Sequence, residues 1–235
     1  MNEYQELLTQ SIHTLYEVFE KYPIKTKIEG CPCCISDQEE SRLHTNPLHE
    51  LTQEDLRPFI FASQTTIGDA NDFKHFLPRI LDLITKENFI GLPEVIIGHI
   101  KYLDFKQWPL AEQEAIEIFL LNWWNHELAI EYEEYMPFYN VVDCLTSINR
   151  LEDDFIKYLE AGLKNKSVNA IPHLLEVLTS KTRNTLNHYL WNENQLAILY
   201  VWLEKKETID AFKKHECFKL NAWKLPNYYL GMEDL

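Results

Sequence analysis

Pro109 to Ile130, PLAEQEAIEIFLLNWWNHELAI, is the longest helical pattern in the chain, and apolar residues cover most of its circumference. A helix of that kind is buried, because no side of it is polar enough to face water alone. Pro109 suits a first helical position, where its missing N–H is not needed, and Met136-Pro137 closes the segment. The pattern predicts a central helix around which neighbouring elements pack. Trp123 and Trp124 are adjacent, and adjacent helical residues point about 100° apart. Either both indoles are buried in a surrounded helix, or one faces a partner. The region is also electrically one-sided. Between Lys106 and Arg150 there is no Lys or Arg, while Glu112, Glu114, Glu117, Glu127, Glu131, Glu133, Glu134 and Asp143 all fall there.

Working outward from that helix, apolar residues recur at spacings of three and four almost everywhere. Glu3 to Lys21 reads as an amphipathic helix ended by Tyr22-Pro23. Ser36 with Glu39, and Thr52 with Asp55, have capping-box spacing and predict helices through Leu43 and over Thr52 to Thr66. Asp69 or Asn71 caps the next helix, FKHFLPRILDLITKE, in which Pro78 predicts a kink or a break. Leu92-Pro93 opens another helix. Beyond the central one, Phe138–Asn149, Glu152–Ala161, Ile171–Thr179, Trp191–Glu204 and Ile209–Phe218 continue the pattern. No period-two strand stands out, so the expected class is all-α, about ten helices packed as antiparallel hairpins. No repeat of fixed period is visible, which leaves an irregular solenoid-like, HEAT-like array or a globular bundle. A single domain over 1–235 is expected, and the basic linker KNKSVN at 164–169 is where two lobes would divide.

Composition bounds the function. The chain has 235 residues with 46% hydrophobic and 13% aromatic content, enough to fold around a core without disulfides. Its formal net charge is −15, from 22 basic and 37 acidic residues. Residues 1 to 160 hold 12 Lys+Arg against 29 Asp+Glu, and the remainder 10 against 8. Nucleic acid and anionic membranes are poor partners for such a chain, whereas basic proteins are good ones. MNEYQELLTQ lacks the basic start and apolar core of a signal peptide, and no apolar run is long enough to span a membrane. Together with clustered cysteines in the absence of an export signal, this predicts a cytoplasmic protein.

The most distinctive local motif is Gly30-Cys31-Pro32-Cys33-Cys34. Cys31 and Cys34 have C-x-x-C spacing and Cys33 adds a third thiol, so a structural zinc is one reading, with His44, His49 or His75 as a fourth ligand. The same thiols admit a redox reading if a helix start lowers one pKa, and a purely packing role in a loop. Cys144 and Cys217 read as ordinary buried cysteines. The runs GCPCCIS, NPLHELTQEDLRPF and GDANDFKHFLPRI resemble a family of uncharacterised bacterial proteins that share a GCPCC start and a GD-x-x-DFKHFLPR block. The match covers roughly residues 30 to 84. It implies a bacterial cytoplasmic helical protein and carries over no catalytic residue or cofactor.

No catalytic motif is complete. His126-Glu127 would need His at position 130 for a zinc-protease pattern, and that residue is Ile. His75, near Asp69 and Asp72, has no companion nucleophile in the sequence. Glycine-rich phosphate loops and nucleophile elbows are missing. The leading expectation is therefore a protein-binding module. Its acidic, aromatic-rich face, Trp124, Glu127, Glu131, Glu133, Glu134 and Tyr135, would engage a basic protein; in a bacterium, an immunity protein that blocks a basic toxin fits that description. The alternative is a zinc- or thiol-dependent protein using Cys31, Cys33 and Cys34, with His75 completing the ligand set.

Overall fold

The computed structural model describes residues 2–31, 34–61, 67–86, 88–131, 139–151, 154–178 and 192–214. Among these residues the protein is all-α, with eleven α-helices, two short 3-10 turns and one isolated β-bridge. The chain divides into two compact units, Met1–Trp123 and Trp124–Leu235, and the division falls inside one helix. The 164–169 linker lies within the second unit. Among the described residues no helix is long and apolar enough to cross a membrane.

The first unit is built on α1 (Glu3–Phe19) packed along α4 (Ala70–Ile84). Leu8, Leu15 and Phe19 supply the buried stripe of α1, and Asn2 caps it by accepting a hydrogen bond from the Gln5 N–H. α2 (Asp37–Leu43) opens with the capping box expected of Ser36 and Glu39. Thr52 and Asp55 also make their reciprocal bonds, but regular helix begins only at α3 (Arg57–Phe61), after a run of turns. Residues 62–66 of that expected helix lie outside the described residues. α5 (Pro93–Tyr102) starts on its proline, and α6 (Leu110–Ala129) is the central helix of the sequence reading, within one residue at each end.

α4 is the most deeply seated element, burying Phe73, Phe76, Leu77, Ile80 and Leu81 together with the charged Asp72 and Lys74. It runs through Pro78 without a break. Proline forfeits its own N–H bond and crowds the carbonyl one turn back, and tertiary burial of Pro78 and its neighbours outweighs that cost. The N-terminus of α4 is fixed by Asp69, whose side chain accepts from the Asn71 and Asp72 N–H groups, while Asp72 accepts from the Asp69 N–H. Gly68 precedes this cap at φ +61°, and a Cβ there would sit 2.8 Å from the Cβ of Asp72. Both backbone and space require glycine. Gly68→Ala is expected to destabilise the protein by about 1 to 3 kcal/mol, read as a lower urea midpoint.

The second unit begins with Trp124 and holds the rest of α6 with α7 (Tyr139–Leu151), α8 (Ile156–Lys164), α9 (Ala170–Leu178), α10 (Glu193–Leu203) and α11 (Lys206–Lys213). α8 comes close because Gly162 has no side chain: a Cβ there would lie 2.9 Å from Leu128 and 3.0 Å from Leu174. The Trp124 indole N–H donates to the Tyr158 carbonyl at 2.7 Å, and Asn165 donates to the Asn125 carbonyl at 2.9 Å. Trp202 meets Phe212 edge-on where α10 turns into α11.

Candidate functional site

The residues that carry chemistry in the first unit converge on three connected features. The first is a buried ionic hub. Glu112, in the first turn of α6, is fully buried and accepts from Tyr22 Oη at 2.6 Å, Lys21 Nζ at 2.7 Å and Lys74 Nζ at 2.7 Å. Lys74 also lies 3.9 Å from the centre of the Trp108 ring. An ammonium taken out of water is retained here because a carboxylate and an aromatic face replace its hydration. Burial alone would push the Glu112 carboxyl up; the hydrogen bonds from Lys21, Lys74 and Tyr22 outweigh it and hold the group below its ordinary range. Burial and the bond to Glu112 raise the Tyr22 phenol in turn.

The second feature joins the two sequence blocks of the family resemblance. Gly30 bridges to Ile67, and the Gly68 N–H donates to the Glu29 carbonyl at 2.6 Å, so the cysteine turn abuts the start of α4. Lys25 reaches both caps of α4, 2.7 Å from Asp69 and 2.9 Å from Asp72. Its hydrogen bonds to those carboxylates raise the Lys25 ammonium, and Asp69 is held low in return. Cys31 and Cys34 are half-buried, and the N–H groups of Cys34 and Ile35 both donate to the Cys31 carbonyl, closing a tight turn.

The third feature is a cleft of about 400 Å³ beside the C-terminal end of α1. Its aromatic wall is Tyr16, Phe19 and Tyr22, its apolar floor includes Pro23, Leu48 and Pro78, and its polar edge is Glu17, Glu20 and His75. His75 Nδ1 lies 2.7 Å from the Tyr22 carbonyl, which only accepts, so Nδ1 carries the proton and the neutral ring keeps its lone pair on Nε2. Burial lowers the His75 pKa, opposed by that bond and by Asp72. The Tyr16 hydroxyl is buried, and its pKa is pushed up to about 12 by burial and by Asp82, opposed by Arg79.

The block GDANDFKHFLPR thus reads as architecture. Asp72 receives Lys25, Lys74 reaches Glu112, His75 holds the Tyr22 carbonyl, and Arg79 donates to the Leu51 carbonyl at 2.7 Å while pairing with Asp82. Together these side chains tie α4 to the Tyr22–Lys25 stretch, to Glu112 and to Leu51. Asp69 and Asp72, weighed from the sequence as carboxylates for a His75 enzyme, are committed to Lys25 and to the helix cap.

The residues expected to form the acidic docking face separate. Trp124 is fully buried and Glu127 is 3% exposed, so neither belongs to the surface. The reason lies in helical spacing: Trp124, Glu127 and Leu128 share one side of α6, and in the second unit Tyr158 and Gly162 of α8 close over that side. Glu131 is exposed; Glu133, Glu134 and Tyr135 lie outside the described residues. Of the thiol set, Cys31 and Cys34 share one turn and Cys33 lies outside the described residues, while His75 faces the cleft and the Tyr22 carbonyl. Among the described residues no group of three or more His, Cys, Asp and Glu is placed to hold a metal ion. Cys144 is fully buried, and its thiol is raised well above the usual value by burial and then by Glu127 and Asp143.

Sequence reasoning missed the hub, the cleft and an open apolar strip on α6. Ile118 is 50% exposed and Leu121 36%, one turn apart, and the Asn122 amide donates to the Leu7 carbonyl at 3.2 Å, bringing the 38%-exposed Leu7 of α1 beside them. Glu6 and Glu114 are exposed near this strip. Comparison with protein-family models, curated proteins and solved structures finds no match for this chain.

Proposed function

We propose that this protein is a cytoplasmic binding module that uses the acidic first unit, through the α1/α6 strip, to engage a basic protein. A toxin whose cationic face must be covered is the kind of partner that fits. The observation that carries this reading is the exposed trio Leu7, Ile118 and Leu121, an apolar centre with exposed carboxylates beside it. Apolar anchors desolvated at the middle of a contact supply affinity, and charge around them supplies steering and selectivity.

The charge distribution supports the sign of the partner. The first unit holds 10 Lys+Arg against 20 Asp+Glu. Six of those cations, Lys21, Lys25, Arg57, Lys74, Arg79 and Lys86, already pair with carboxylates of the same unit. Exposed Glu6, Glu17, Glu20, Asp37, Glu50, Asp104 and Glu114 then dominate the outward field. Such a field raises the local concentration of a basic partner and weakens as salt screens it.

The test is capture from the native host in low salt with the wild-type chain and with Ile118→Lys/Leu121→Lys. Ile118 is half exposed and Leu121 36%, and the urea midpoint of the double variant is measured beside the wild type so that lost contact is told from lost fold. The expected outcome is a basic companion that salt releases and that the double variant retains about tenfold less well. Equal capture by the variant, or release insensitive to salt, would contradict the proposal.

A further inference from the structure

From the cleft beside the C-terminal end of α1, we infer a second binding site, one that takes an alkylguanidinium or alkylammonium group. It does not depend on the α1/α6 strip. At about 400 Å³ the cleft has the size of a small-ligand site. Its walls set the shape of the occupant: Pro23 and Leu48, backed by the buried Phe19 and Pro78, offer apolar surface for an aliphatic stem.

Its polar groups set the charge. Glu17 and Glu20 are exposed carboxylates on the edge, and the lining imidazole, His75, has its N–H committed to the Tyr22 carbonyl and presents a lone pair. The Tyr22 hydroxyl is likewise committed, donating to Glu112. The edge therefore offers acceptors, and an occupant must bring donors. An anion would meet two carboxylates, while the nearby cations are already engaged: Lys21 and Lys74, 5.5 and 5.1 Å from the Tyr22 ring centre, are tied to Glu112, and Arg79, whose charge acts on Tyr16, is tied to Asp82 and the Leu51 carbonyl. His13 lies 3.4 Å from Glu17 and competes with a ligand only when protonated. A guanidinium or ammonium on an aliphatic stem meets all of these conditions: donors for the carboxylates and Nε2, aromatic faces for the charge, apolar surface for the stem.

The ligand chemistry has two sources, a free small amine or guanidine, and an Arg or Lys side chain of a protein. The experiment titrates the full chain at pH 8, where histidine is neutral, with n-butylguanidinium, with its neutral isostere n-butylurea, and with a blocked Gly-Arg-Gly peptide. The His75 ring resonances report occupancy. The expected result is a saturable shift of those resonances by n-butylguanidinium, with butylurea at least about tenfold weaker, and a comparable loss of guanidinium binding in Glu17→Gln/Glu20→Gln. Binding of the peptide as well assigns the site to a protein side chain; binding of butylguanidinium alone assigns it to a free small molecule. Equal binding of butylurea, unchanged affinity in the double variant, or no saturable shift at His75 would overturn the inference. Ile118→Lys/Leu121→Lys leaves this titration unaltered, which separates its failure from failure of the α1/α6 docking strip.

Discussion

Glu112→Ala is expected to lower the unfolding free energy by about 3 to 5 kcal/mol, the range for removing one partner of a buried ion pair. The carboxylate is fully buried and receives three donors, so its loss strands the 8%-exposed Lys74 ammonium and the Tyr22 hydroxyl together. Lys74→Ala is expected to cost less, because Lys21 and Tyr22 still satisfy Glu112. Replacing both, as in Lys74→Met/Glu112→Leu, is expected to recover much of the loss: two apolar side chains need no compensation for desolvation. Urea denaturation of the four proteins at neutral pH gives the comparison. The same residue sets a pH dependence. The folded-state pKa of Glu112 lies below its ordinary 4.5, so its contribution is complete above that value and drains away as pH falls through the folded one. Glu112→Ala should therefore show a flatter loss of stability on acidification than the wild type.

Trp124→Ala carries the other large effect, about 3 to 5 kcal/mol, the cost of emptying an indole-sized volume from a close-packed core. Trp124 is fully buried and its N–H is bonded to the Tyr158 carbonyl at 2.7 Å. Trp124→Phe refills part of the volume and is expected to lose less, chiefly that hydrogen bond, worth about 1 kcal/mol. Thermal or urea unfolding measures both. A docking indole would behave in the opposite way, with stability kept and binding lost, so one substitution distinguishes the core role from a surface one.

These residues show where the sequence was legible. Periodicity and capping chemistry are local, and they placed α2 behind Ser36, α4 behind one of two candidate caps of which Asp69 is the one used, α5 at Pro93 and α6 within a residue at each end. The reading overextended at Thr52, where the Thr52–Asp55 bonds close a turn before helix sets in at Arg57. Of the kink or break expected at Pro78, there is no break: α4 continues through it, where burial prevails over one lost hydrogen bond.

Side-chain destinations were harder to read, because they depend on partners far along the chain. Glu112 looked like one more member of an acidic edge, yet its cation is 38 positions away at Lys74, and its burial follows from that pairing. Glu127 was likewise indistinguishable from a solvated carboxylate. An apolar pattern all around α6 announced burial but did not say which side stays open, and that side, at Ile118 and Leu121, carries the proposed contact. The GDANDFKHFLPR block gave no hint of its partners; its Asp72, Lys74, His75 and Arg79 hold α4 to the Tyr22–Lys25 stretch, to Glu112 and to Leu51.

The most direct measurement of the proposed contact is hydroxyl-radical footprinting of the chain alone and with the companion recovered by low-salt capture. Oxidation of Leu7, Ile118 and Leu121, all solvent-facing in the free chain, should drop sharply in the complex, while exposed Tyr102 on α5 keeps its reactivity. Unchanged oxidation of those three side chains in a complex that still forms would contradict the claim that the α1/α6 strip is the docking surface.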